Sequence, residues 1–119
     1  MPKLPNNQQF PKELRLRRQA DFDAVYQNGA FVADDVLVLK ACRNQLGVTR
    51  LGLAVSRKVG NAVVRNRWKR LIREAFRTQR SELPVGMDFV IRPRKGAKCD
   101  HDTIRQSIKK LAQRVSKKL

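Results

Sequence analysis

The spacing of apolar positions changes along this chain, and each change marks an element. Over 57–80, Val64, Trp68, Leu71, Ile72, Ala75 and Phe76 fall at i, i+4, i+7, i+8, i+11 and i+12. That period places them on one face of an α-helix. Upstream, Phe22, Val25 and Tyr26 share a face at i, i+3 and i+4, which predicts a helix over 14–28 that stops at Gly29. Val36, Leu37, Val38 and Leu39 form an unbroken apolar run, as in a strand covered on both faces, and the predicted strand spans 31–42. Asp34 and Asp35 mark an irregular start or a bulge in it. Over 50–56, Leu51, Leu53 and Val55 alternate with Gly52 and Ala54. The small residues leave one face open to a close helix or ligand backbone. Asn44 and Gly47 put a turn between these two strands, which are expected to pair as an antiparallel hairpin. Met87, Phe89 and Ile91 alternate with Asp88, Val90 and Arg92 in a third strand over 87–93. Ile104, Ile108, Leu111, Ala112 and Val115 stripe a closing helix over 100–119, with Asp100 or Asp102 as its N-cap.

The predicted order is α-β-β-α-β-α. It describes an α+β fold, an α/β sandwich with one central sheet and three helices. A strand–helix–strand crossover is ordinarily right-handed. Residues 1–13 contain Pro2, Pro5 and Pro11 and read as an irregular N-terminal arm; residues 14–119 are expected to form a single domain.

Charge then sharpens the picture. The 119 residues include 27 Lys and Arg against 10 Asp and Glu, a formal net charge of +17. Such a balance points to a polyanionic partner. The stretch over 57–80 carries Arg57, Lys58, Arg65, Arg67, Lys69, Arg70, Arg73, Arg77 and Arg80 but one acid, Glu74. At about 100° per residue, Asn66, Arg70, Arg73 and Arg77 point away from the apolar face. Like charges at i, i+4 repel unless something outside the helix relieves them. Planar guanidinium forks suit phosphate oxygens taken two at a time. Glu74 lies within reach of Arg70 and Arg77, which makes it an internal salt-bridge partner rather than a base. Gly60 can take positive φ before the helix, and Asn61 can cap it.

Lys58-Val59-Gly60-Asn61-Ala62-Val63, then Arg65-Asn66-Arg67, Lys69-Arg70, Arg73-Glu74 and Phe76-Arg77, follow a strand in mid-chain. The whole run resembles the signature of the bacterial ribonuclease P protein subunit. The resemblance implies a left-handed β-α-β crossover. It implies a partner, the ribonuclease P RNA subunit, which carries out Mg²⁺-assisted hydrolysis and removes the 5′ leader of precursor tRNA. The protein then binds that RNA and the leader. Lys58, Arg65, Asn66, Arg67, Lys69, Arg70 and Arg73 are the candidate contacts to the RNA subunit. The first helix and the sheet face form the leader groove in this family, which makes Phe22, Tyr26, Arg18 and Lys40 its candidate lining. From the residues alone, Phe22 and Tyr26 either pack in the core or border such a groove. The family's further aromatic, on the first strand, is replaced here by Lys40.

No catalytic residue is expected on this chain. A metal-dependent nuclease needs converging carboxylates, and these acids are scattered. Asp100-His101-Asp102 precedes a helix, where Asp is the usual cap, so no protein-bound metal is expected. Neither Cys42 nor Cys99 belongs to a CxxC pair, and Cys42 reads as a small buried hydrophobe. Neither Gly-x4-Gly-Lys-Ser/Thr nor Gly-x-Gly-x-x-Gly occurs, which removes a bound nucleotide or other organic cofactor. No apolar run approaches the roughly 18 residues of a membrane span, and the first residues lack a secretory signal, so a cytoplasmic protein is expected. A DNA-reading helix needs a second helix close before it, where a strand stands here. A ribosomal or other structural RNA-binding protein shares the size and charge; the run over 58–77 distinguishes the two.

Overall fold

The computed structural model describes residues 14–119. The expected arm over 1–13 lies outside them. The elements are α1 (Gln19–Asn28), β1 (Ala30–Ala33), β2 (Leu37–Arg43), β3 (Arg50–Leu53), α2 (Ala62–Thr78), β4 (Met87–Pro93) and α3 (His101–Ser116). Among the described residues, three α-helices therefore accompany a four-stranded mixed sheet in the order β1-β2-β4-β3, an α+β fold.

Three expectations are corrected. The strand over 31–42 is two strands, so the order is α-β-β-β-α-β-α. Asp34 makes the break: its Oδ1 accepts from the N–H groups of Val36 and Leu37, both at 2.9 Å, and closes a turn between β1 and β2. The hairpin of the two long strands does not form. β4 lies between β2 and β3, antiparallel to the first and parallel to the second. Five consecutive residues of β4, Met87 to Ile91, are buried. A strand that apolar needs neighbours on both edges and cover on both faces. The first helix begins at Gln19, not at residue 14. Leu14 and Leu16, 2% and 6% exposed, flank exposed Arg15 in an extended segment. Leu16 N–H donates to Leu51 O at 2.9 Å, so this segment runs along the outer edge of β3.

The sheet has a thick side and a thin side. Leu37, Leu39, Phe89 and Ile91 face α2 and α3, where Trp68, Ile72, Phe76, Ile104, Ile108 and Leu111 complete the main core. Phe76 and Phe89 meet edge to face, with ring centroids 6.5 Å apart. On the other side α1 covers a smaller cluster of Leu16, Val25 and Val90, with Phe22, Cys42 and Ala54 against it. α1 is too short to cover the sheet, and among the described residues the rest of that face is open.

The helix ends follow the sequence closely. Gly60 has φ 149°, Asn61 caps α2 by accepting from Val64 N–H at 3.0 Å, and Asp100 caps α3 by accepting from Thr103 N–H at 3.1 Å. Gln79, buried after α2, donates to Arg105 O at 3.0 Å and ties the two helices together. Part of the basic outer face of α3 is bound within the protein. Lys118 Nζ donates to Phe31 O at 3.0 Å and Arg114 Nη1 to Ala33 O at 3.4 Å. Those carbonyls lie on edge strand β1, so α3 and the residues just after it occupy a row that another strand could otherwise pair with.

Candidate nucleic-acid interface

α2 carries the first basic surface. Trp68, Ile72, Ala75 and Phe76 are buried, which fixes where its cations point. Asn66, Arg67 and Arg70 are exposed, and Arg65, Lys69 and Arg73 are half-buried. The two groups lean opposite ways. Lys69 and Arg73 join Arg15 and Arg17 around a hollow floored by Leu16 and Leu51. Burial first, then the charge of Arg15, presses the Arg73 pKa below its ordinary value. Guanidinium keeps its proton regardless; the direction of the shift follows from burial away from solvent and from a like charge nearby. Nε of Arg65 is buried with no hydrogen-bond partner among the described residues. On the opposite side, Arg67 and Arg70 approach Cys99; burial nonetheless raises the Cys99 thiol pKa. Arg77 is paired with Glu74, as the sequence spacing anticipates, and contributes less to the open charge.

The second surface is the uncovered sheet face. Tyr26 on α1 and Phe31 on β1, 45% and 50% exposed, stand over Val38, Lys40, Val90 and Arg92. The resulting trough encloses about 430 Å³. Lys40 Nζ lies 5.4 Å from the centroid of the Tyr26 ring, within cation–π range. Phe31 and Lys40 are register partners across β1 and β2.

The predicted groove residues therefore separate. Tyr26 and Lys40 meet in the trough. Phe22 lies instead across Gly52: a Cβ built there would come within 2.9 Å of two atoms of the ring. Its remaining surface opens on the hollow that Lys69 and Arg73 line. Arg18 is exposed at the N-cap of α1 and outside the trough lining. Lys58 is exposed in a one-turn helix over Arg57–Val59, and it borders an extension of the trough rather than the outer face of α2. Sequence reading missed Phe31 and Arg92 in the trough and Arg15 and Arg17 beside α2. Alternation along β1, with buried Val32 between Phe31 and Ala33, carries the signal for Phe31 once the turn at Asp34 is placed.

No group of three or more His, Cys, Asp and Glu residues converges among the described residues. Apart from Glu74, which is held by Arg77, the described polar side chains on both surfaces are cationic or neutral, a set that does not fit Mg²⁺, which takes carboxylate and water oxygens. Asp100 is a cap, bonded also to Thr103 Oγ1 at 2.9 Å. No helix among the described residues is long and apolar enough to cross a membrane.

The ribonuclease P family model matches residues 10–116. The ribonuclease P protein component of Caldanaerobacter subterraneus subsp. tengcongensis is 42% identical over 105 residues, covering 87% of this chain and 90% of the relative. That of Lachnoclostridium phytofermentans is 47% identical over 83 residues, 70% of this chain and 72% of the relative. Among solved structures, the RNase P protein of Thermotoga maritima superposes with a TM-score of 0.79 at 34% identity, covering 85% of this chain and 96% of its own. The Staphylococcus aureus RNase P protein gives 0.76 at 35% identity, covering 87% and 95%. With its fold, its basic helix and nearly its whole described length matched, this chain belongs to the ribonuclease P protein family.

Proposed function

We propose that this chain is the protein subunit of ribonuclease P, which processes the 5′ ends of tRNA. In this reading the outer face of α2, with Arg65, Asn66, Arg67, Lys69, Arg70 and Arg73, binds the RNA subunit. The trough between α1 and the sheet holds the single-stranded leader of precursor tRNA. Mg²⁺-assisted hydrolysis of the phosphodiester is the work of the RNA. The protein supplies no reacting group; it lowers the repulsion between two polyanions and holds the leader, acting in the cytoplasm.

The observation that carries this reading is the pairing of two different surfaces on one small domain. One is a helix face dense in guanidinium, suited to the phosphates of a folded RNA. The other is an open groove with rings and cations, suited to unpaired nucleotides, whose bases stack and whose phosphates need counter-charge. α1 and the segment over 14–16 lie between them, so one RNA can occupy each side at once.

The test is cleavage of precursor tRNA by a ribonuclease P RNA at low Mg²⁺, with and without this protein. Strong stimulation and a correct 5′ end are expected. No stimulation, with tight binding to ribosomal RNA instead, would move the chain to a structural RNA-binding role. Cleavage by the protein alone would place chemistry on its own side chains.

A further inference from the structure

The trough does not end at Lys40. Phe31 and Val38 also line a second compartment, of about 550 Å³, walled by Lys58, Arg92, Arg94 and Lys95. We infer that Phe31 is a base-stacking ring at the junction, and that the strand held by Tyr26 and Lys40 continues past it into this second compartment. The inference rests on the leader reading of the trough and extends its length.

Four observations support it. Phe31 is half exposed on a strand whose next residue, Val32, is buried; nothing in the packing of β1 requires a ring there. The backbone that presents it is held in place, since Lys118 Nζ donates to Phe31 O at 3.0 Å. Its register partner is Lys40, and opposed residues on one sheet face have Cβ atoms roughly 5 Å apart. Two rings and two cations therefore share one lining: Lys40 lies beside Tyr26 and across from Phe31, and Arg92 stands on β4. Finally, among the described residues, neither compartment is lined by an acid. Lys40, Lys58, Arg92, Arg94 and Lys95 present cations without local compensation in the lining. An acidic peptide could answer the charge, but two rings with Lys40 between them and further cations beside them match a single strand, which offers both bases and phosphates. The same geometry places Lys58 with the leader rather than with the RNA subunit.

The experiment is equilibrium binding of precursor tRNAs with stepwise longer leaders to the holoenzyme reconstituted from the RNA subunit and the full-length protein. Wild type, Tyr26→Ala, Phe31→Ala, Phe31→Leu and the double variant Arg94→Ala with Lys95→Ala are compared. Thermal melting first establishes which variants keep the fold, and Phe31→Leu retains apolar bulk in case Phe31→Ala does not. Wild-type affinity should climb with leader length and then level off. Both Phe31 variants should lose roughly fivefold or more on the longer leaders, with the loss growing as the leader lengthens, and the double variant should flatten the last part of the climb. Tyr26→Ala should lose affinity at shorter leaders than the Phe31 variants do. If wild type climbs and a folded Phe31 variant climbs equally, the second compartment is overturned while the leader reading stands. If wild type shows no dependence on leader length, the leader reading falls and this inference falls with it.

Discussion

Arg50 on β3 grips Asp88 on β4 with two hydrogen bonds, Nε to Oδ1 at 2.8 Å and Nη2 to Oδ2 at 2.7 Å. The two are register partners in the parallel pair, and Asn44 Nδ2 adds a third bond to Asp88 Oδ1 at 2.8 Å. Asp88 is 5% exposed, so its charge depends on these donors. The bond to Asp88 is also the foremost cause of the raised Arg50 pKa. Arg50 Nη2 further lies 3.5 Å from Asp21 on α1, which links the sheet to the helix that walls the trough.

Removing one member of such a pair strands the other. Arg50→Ala should therefore destabilise the fold by about 3 kcal/mol, the low end for a broken buried pair, because Arg50 keeps some solvent. Urea titrations followed by circular dichroism measure it. A loss below about 1 kcal/mol, the usual worth of a surface pair, would show that the contact is incidental.

Asp34 links acid stability to topology. Burial tends to raise its pKa, but the bonds from Ser107 Oγ, from the Leu37 and Val36 N–H groups and from Lys110 outweigh it and leave the pKa lowered. A carboxylate whose pKa is lower when folded contributes stability above its unfolded value, about 3.9, and that contribution fades as pH falls through the folded value. Asp34→Asn should thus lower the melting temperature near neutrality, and the gap to wild type should narrow below about pH 4. A gap that stays constant through the acid range would mean that Asp34 acts through shape alone.

Arg70→Ala combined with Arg73→Ala should weaken binding to the RNA subunit and leave the melting curve near that of wild type. For every phosphate that the double variant no longer neutralises, the slope of log affinity against log salt should fall by about 0.7–0.9. Filter binding across a salt series reads both quantities. An unchanged slope would assign the RNA-binding role to another face.

Gly52 and Phe22 pack so closely that no room is left for a methyl group. Leu16 Cβ would also stand 3.0 Å from a Cβ at position 52. Gly52→Ala should cost about 1–3 kcal/mol, the usual range for overpacking, and push α1 away from the sheet. Phe22→Ala should cost about 2 kcal/mol, less than a fully buried phenylalanine because the ring is only half-buried. If Phe22→Ala leaves stability intact yet weakens precursor tRNA more than mature tRNA, the ring belongs to the leader groove after all.

What the sequence determined by itself is local. The apolar period over 64–76 marks the buried face of α2, and Gly60 and Asn61 mark its start. The alternation over 87–93 yields β4, and Asp100 heads α3. Each depends on residues within a few positions of one another, and a repeat of 3.6 or 2 states which side chains share a face. It does not state which strands are neighbours. That was decided by β4, whose apolar residues on both faces require cover on both sides and whose Asp88 finds Arg50 only when β3 lies beside it in parallel. The same competition for edges drew the segment of Leu14 and Leu16 out of the first helix and onto β3. It left Phe31 facing an open sheet beside Lys40. Strand pairing sums hydrogen bonds and burial over distant segments, so the trough, unlike the basic helix, came into being only when the chain folded.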